Sequence, residues 1–311
     1  MIRLKQIVLH ITFLLVLILS FIPEINAQNK FLEPSDQYNP GRLRGVAIAE
    51  IAGGILVSAG LHYLWYRKHP RSSFHFFNDN REWLQIDKVG HVTTAYNIAV
   101  IQYDLMRWCG VRNDASIAIG SFTALGYMSI IEVLDGFSTK WGFSGGDMAA
   151  NIIGTALFAG QQKWWGGQRV SLRFSYHKTI YPAYHPQELG NNFISSTIKD
   201  YNGQTYWLSL NIKSFLSVKN DFPDWLNLSA GYGAEGMLSA SRNAEYINGK
   251  AVPSFPRFRK FYLAPDIDPL RVSSSSNLYN TATYFSRFIK FPAPTLEWSA
   301  LKRLKFHPLY F

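Results

Sequence analysis

The spacing of apolar residues changes once along this 311-residue chain, and that change limits the fold more than any other feature. Up to Gly166-Gly167 the apolar residues run in long blocks, and from Val170 onward they alternate with polar ones. The blocks Gly45 to Trp65, Lys88 to Trp108, Ala115 to Leu134 and Gly145 (or Asp147) to Gln161 predict four helices. Val170, Leu172, Phe174 and Tyr176 alternate with Ser171, Arg173 and Ser175, and the same period recurs over Tyr206 to Lys213 and Leu226 to Tyr232. A period of two predicts antiparallel strands, with Asn202-Gly203 and Asn248-Gly249 as hairpin turns. The expected class is therefore α+β: an N-terminal apolar four-helix bundle followed by a C-terminal antiparallel β-rich region, a sheet or partial barrel. The alternation suits a half-exposed sheet packed on the bundle or a lipid-facing barrel with a polar lumen.

The first segment sets the compartment. Arg3 and Lys5 precede the apolar run Ile7 to Ile22, and Ala27 offers a small residue before Gln28, the pattern of a secretory signal over 1–27. The rival is an uncleaved first membrane helix, for which the run is short. Residues 28–44, with Pro34, Pro40 and Gly41, read as a linker, 45–165 as the helical bundle and 168–311 as the β-rich region. The one cysteine, Cys109, is far from the cleavage junction, so neither a lipid-modified N-terminal cysteine nor an intrachain disulfide is expected.

Only 17% of residues are charged while 47% are hydrophobic and 15% aromatic, which excludes disorder and fits a chain that meets lipid over part of its surface. The net charge of +10 suits anionic head groups; without zinc-finger spacing, an RNP-like segment or a dense basic helix, no nucleic-acid partner is expected. Membrane lipid or another envelope protein is the expected partner, with Trp207, Trp225 and Tyr232 as interface aromatics. An outer-membrane association is favoured, with an inner-membrane, multi-span arrangement as the alternative: Glu50, Asp104 and Glu132 within apolar segments favour helices packed together over independent spans.

Chemistry-bearing residues gather in three motifs of the helical half. Asp87-Lys88-x-x-His91 puts Asp87 at a helix start, as N-cap, and His91 one turn on. Glu132-x-x-Asp135 closes an otherwise apolar helix, and Asp147 and Asn151 share a stripe with Gly154 behind the cap Ser144. Singly, each carboxylate suits a cap or a solvated helix end, and His91 a core histidine. Together on apolar helices, such groups are costly unless they pair or hold an ion. The candidate polar cluster is therefore Asp87, Lys88, His91, Glu132, Asp135, Asp147 and Asn151. Asp87, His91, Glu132 and Asp147 are candidate ligands of a divalent metal.

These motifs, with Trp141 ahead of Ser144, resemble the YfiM-like family of predicted periplasmic proteins of unknown function, and more distantly the VanZ-like membrane proteins. The resemblance runs over about Trp83 to Gly160, and the aromatic loop Phe74 to Asn80 and the β-rich tail look like the longer, Bacteroidetes-type members. VanZ-like proteins tend to carry Gln at the place of Asp135, and their Arg before the last motif has Lys140 as its nearest counterpart. The resemblance implies an envelope location and a helical core and implies no reaction.

Two functions follow. One is a non-enzymatic membrane-associated scaffold or lipid- or partner-binding module, the cluster serving as an internal staple. The other is a metal- or His/carboxylate-dependent hydrolase of an envelope lipid or glycan precursor, with a metal-activated water or with His91 as base, oriented by Asp87. No His-Glu-x-x-His or phosphate-cradling loop is present. Asp266-Ile267-Asp268, between Pro265 and Pro269, reads as a turn.

Overall fold

A computed structural model describes residues 32–216, 222–272, 276–301 and 303–310; the segment 1–27, expected to be a signal, lies outside them. Four long helices come first: α1 (Pro40–Leu64), α2 (Ile86–Trp108), α3 (Asn113–Gly136) and α4 (Gly145–Trp165). α1 starts inside the segment read as linker, because Asn39 accepts the Arg42 N–H at 2.9 Å and Pro40 takes the first helical position. Pro40 thus begins a helix where the sequence suggested a turn.

α2, α3 and α4 enclose the core of Tyr96, Ala99, Val100, Ile117, Ala124 and Phe158. Glycines set the approach: a Cβ on Gly120 would lie 2.8 Å from the Ala99 carbonyl oxygen, and one on Gly154 would lie 2.1 Å from that of Val92. Gly126 meets nothing within 4 Å and has no such part.

α1 is held mainly at its first turns, by Leu43 and Val46 against Met106 and Cys109, and Ile48, Ile51, Ile55 and Val57 stand exposed. The expected four-helix bundle is therefore three packed helices with a fourth alongside. α1 is apolar on every side and has no single stripe to bury.

The C-terminal half is an antiparallel sheet in the order β1 (Val170–Tyr176), β2 (Gln204–Asn211), β3 (Leu226–Glu235), β6 (Phe258–Ile267), β7 (Ala293–Ser299) and β8 (Arg303–Tyr310). β4 (Tyr246–Ile247) and β5 (Lys250–Ala251) form a separate hairpin, whose turn residues Asn248 and Gly249 both have positive φ. Asn202-Gly203, by contrast, ends a long excursion through α5 (Pro186–Leu189) and α6 (Phe193–Lys199) and turns no tight hairpin. A third helix, α7 (Asn277–Ser286), interrupts the strands between β6 and β7. Past it, Phe288 and Lys290 exchange backbone hydrogen bonds of 2.9 Å with Phe174, covering part of the free edge of β1. Arg287 ties the same segment to α2 through Asp104 at 2.9 Å.

The two faces of this sheet have inverted polarity. Inward point Arg173, Ser209, Asn211, Asn227, Ser229, Asp266 and Glu297, all buried. Asp266 lies 3.0 Å from Arg173 Nη1 and 3.5 Å from Lys290 Nζ, and accepts the hydroxyls of Ser209 at 2.6 Å and Ser229 at 3.0 Å. It is thus the hub of a buried network rather than part of a turn; Asp268 alone caps the turn at Pro269–Arg271. Trp207, expected at an interface, is also buried, donating to Ser175 Oγ at 2.9 Å.

Outward point Leu208, Leu228, Phe261, Leu263, Leu296, Trp298, Leu304 and Phe306, all exposed. Cross-strand pairing joins them into one band: Leu263 opposes Leu296, Leu296 opposes Phe306, and Phe261 opposes Trp298. α2 covers only the near end of this face, where Leu172 joins the helical core and Tyr206 reaches Gly90.

Candidate functional site

A strained turn brings the site together. Trp83, Leu84 and Gln85 all have positive φ, uncommon for residues with a Cβ, and lead directly into α2. Trp83 N–H donates to the Ala240 carbonyl at 2.8 Å, and the Tyr232 hydroxyl donates to the Leu84 carbonyl, so β3 and the loop that follows it hold this turn in place. Asp87 accordingly lies in the first turn of α2 rather than at its N-cap, the expected position; Gln85 stands there in a left-handed conformation. Asp87 accepts a 2.7 Å hydrogen bond from the Tyr201 hydroxyl.

Lys88 is the electrostatic centre. Its Nζ lies 2.7 Å from Asp147 Oδ1, 2.7 Å from Asp79 Oδ1 and 3.4 Å from Asp87 Oδ2. Ser144 caps α4 by accepting the Asp147 N–H at 3.1 Å, and donates its hydroxyl to Asp79 at 2.6 Å. Gly146 admits the loop: a Cβ there would stand 1.9 Å from Asn80 Oδ1.

His91 sits one turn deeper. Its Nδ1 lies 3.1 Å from Asn151 Oδ1 and 3.7 Å from Glu132 Oε1, while Nε2 lies 3.7 Å from Asp147 Oδ1. Glu132 is 1% exposed, so it is no solvated helix end; its Oε2 accepts the Ser144 N–H at 3.1 Å, and its Oε1 has no hydrogen-bond partner.

Asp135 stands apart from His91 and Lys88. It accepts the Tyr66 hydroxyl at 2.6 Å and ties α3 to the segment after α1. Six of the seven sequence-derived residues thus join through direct contacts, and Asp135 is bound elsewhere. Asp79, Tyr66 and Tyr201 were not singled out from the sequence; only the polar run Asn78-Asp79-Asn80 hinted at the first.

The charges interact strongly. Burial would lower the pKa of His91, but the charges of Asp87, Asp147 and Glu132 outweigh it and hold the value above that of an ordinary histidine. Burial, with the Asp87 charge, pushes the Asp147 carboxyl up to about 7. Burial opposes the charged form of Lys88 too, and the carboxylates around it reverse the effect and raise its pKa. At Asp79 burial is overcome by hydrogen bonds from Lys88 and Ser144, so its carboxyl titrates below the usual range.

The Asn151→Ala substitution should lower stability by about 1–3 kcal/mol, because the buried His91 Nδ1 loses its 3.1 Å partner. Thermal unfolding of the detergent-purified chain measures this, and an unchanged midpoint would show that Asn151 holds nothing in place.

Beside Lys88 an open groove of about 470 Å³ runs between α2 and α4, lined by Asn80, Val89, Val92, Gly146, Ala149 and Ile153 among others. The arrangement can neutralise or coordinate a cation and presents an apolar trough next to it.

Residues 75–160, which include Asp79 and every residue of the cluster, match a family described as "Predicted periplasmic lipoprotein (DUF2279)". The lipoprotein in that description belongs to the family; in this chain Cys109 is buried at the end of α2. No curated protein and no solved structure matches the chain. Over that stretch the chain is similar to a family of predicted periplasmic proteins, a likeness consistent with an exported protein on the periplasmic side of the cell envelope.

Proposed function

We propose that this chain is a non-enzymatic module seated in the lipid of the cell envelope, with the outer face of its sheet against acyl chains. One observation carries the reading: the six-stranded sheet buries Arg173, Lys260, Asp266 and Glu297 and exposes a band of leucines and aromatics, with its exposed charges, Arg259, Arg303 and Lys305, near strand ends. In water such a face would be covered, whereas lipid-facing strands carry this polarity. α1 and α3 add support, being long and apolar enough to cross a membrane. The net charge of +10 complements anionic head groups at the rim of such a seat. A lipid-facing antiparallel sheet favours the outer membrane over an inner-membrane, multi-span arrangement. The finer YfiM-like and VanZ-like resemblance agrees with an envelope module and rests on the shared motifs alone.

Vesicle flotation of the full chain tests the proposal. The wild type should float with anionic phospholipid vesicles at both low and high salt, because apolar burial is not screened. The double substitution Leu263→Arg/Leu296→Arg should weaken that binding by about 2 kcal/mol or more, although it adds positive charge. If the variant binds more tightly, or high salt alone releases the wild type, the attachment is electrostatic and the seated reading fails.

The hydrolase reading has its own support in the His91 cluster beside the groove, which would suit a polar head group with an acyl chain behind it. Release of phosphate or a sugar from an envelope lipid precursor by the wild type, lost in His91→Ala, would favour it over the first reading.

A further inference from the structure

The cluster holds more negative charge than its own cations balance. Asp79, Asp87, Asp147 and Glu132 surround one lysine and one histidine, and the side chains of Asp147 and Glu132 are 5% and 1% exposed. Buried carboxylates in such excess need a further cation or must stay protonated. One oxygen each of Asp87 and Asp147 and one ring nitrogen of His91 lie within 4.8 Å of one another. The ammonium of Lys88 contacts these same two carboxylates, at 2.7 Å from Asp147 and 3.4 Å from Asp87.

The rest of the geometry prepares His91 to bind a metal. In the neutral ring Asn151 Oδ1, 3.1 Å from Nδ1, accepts the hydrogen bond of Nδ1–H, which leaves the Nε2 lone pair on the side of Asp147. Behind the ring, the unpartnered Glu132 Oε1 is 3.7 Å from Nδ1, the outer carboxylate that metal-bound histidines commonly have. This fully buried carboxylate oxygen has no hydrogen bond and lies against that ring, where it can pair with the positive charge that a proton or a bound metal puts on the imidazole.

We propose that Asp87, His91 and Asp147 form a divalent transition-metal site in which the ion takes the place now held by the Lys88 ammonium. Lys88 keeps a second anchor when displaced, since Asp79 lies 2.7 Å from the same Nζ. One imidazole nitrogen with two carboxylate oxygens suits zinc or manganese, and the nitrogen ligand disfavours magnesium and calcium. The metal–ligand bonds, near 2.0–2.2 Å, require the three donor atoms to draw together, which a freed Asp87 and Asp147 can do. This inference stands independently of the membrane reading, because it concerns the interior of the helical half.

Removing the competing ammonium tests it. The full chain is purified in detergent as wild type, Lys88→Ala and Lys88→Ala/His91→Ala, and titrated with Zn²⁺ after chelation. The expected result is one zinc per chain in wild type, affinity at least tenfold tighter in Lys88→Ala, and loss of binding in the double variant. In the thermal scan, Lys88→Ala should unfold early in chelator and recover at least the wild-type midpoint when zinc is added. Magnesium at tenfold excess should not displace the zinc. A Lys88→Ala chain that binds no zinc, stays destabilised with it, or fails to fold even when produced with zinc present would overturn the site. So would zinc binding that survives His91→Ala. A result of that kind would leave the vesicle flotation of the wild type unaffected, so the two readings fail separately.

Discussion

The Asp266→Asn variant should unfold about 3–5 kcal/mol more easily than the wild type, the range expected when one partner is taken from a buried ion pair. The side chains of Arg173 and Lys290 are each 1% exposed, and Asp266 contacts both, at 3.0 and 3.5 Å. Without its charge two buried cations face each other, and the nearest remaining carboxylate, Asp268, is 3.9 Å from Arg173. The hydroxyls of Ser209 and Ser229 would still find the amide oxygen, while the Ile267 N–H, 2.9 Å from Oδ1, would lose its acceptor, so the loss combines the charge with one hydrogen bond. Adding Lys290→Met to Asp266→Asn removes one of the repelling cations and should recover part of the deficit, a non-additive result. Thermal unfolding in detergent, followed by the β signal, measures both variants. Strictly additive losses would mean that the interior of the sheet does not hold its charges as one network.

The Gly154→Ala variant should be the most damaging single change in the helical half. Its Cβ would stand 2.1 Å from the Val92 carbonyl oxygen and 3.1 Å from the Tyr96 nitrogen, both backbone atoms that cannot swing aside. α4 must then draw back from α2, at a cost of about 1–3 kcal/mol for an overpacked core, or more where main chain is struck. The same displacement opens the 3.1 Å contact between His91 and Asn151, so zinc affinity should fall together with stability. Gly126→Ala is the matched control: nothing lies within 4 Å, and the helix propensity gained is worth about 0.5–1 kcal/mol. Equal behaviour of the two variants would refute the close-packed contact.

Much of this fold is legible in the sequence, and the remainder is hidden for physical reasons. Helix starts are readable where a side chain does the capping, as at Ser144; Pro40 is ambiguous because proline marks both a turn and a first helical turn. The alternation of β1 to β3 announces strands, but a period of two says nothing about which parity faces inward. Asp266 decides that question only through Arg173, 93 residues earlier in the chain, and Lys290, so it read as a turn residue. α7 (Asn277–Ser286) is too polar to stand out as an apolar block, and Tyr284 is its one buried side chain. In the site, His91, Glu132, Asp147 and Asn151 carry a signal because polar groups are costly on apolar helices. Asp79 carries none, since a carboxylate in a loop is ordinary; the left-handed turn over Trp83, Leu84 and Gln85 and the hydrogen bond from Ser144 accompany its contact with Lys88.

The lipid-facing sheet is tested most directly by a probe on the sheet itself. Cys109 is the one native cysteine and is buried, so a Cys109→Ala background permits a single nitroxide label at Leu263→Cys or Leu296→Cys, an opposed pair on the outer face. In reconstituted vesicles, collision with dissolved oxygen should exceed collision with a water-soluble nickel chelate at both positions, because oxygen partitions into acyl chains. A label at either position that meets the nickel chelate as freely as one at the exposed loop residue Arg81 would contradict the account.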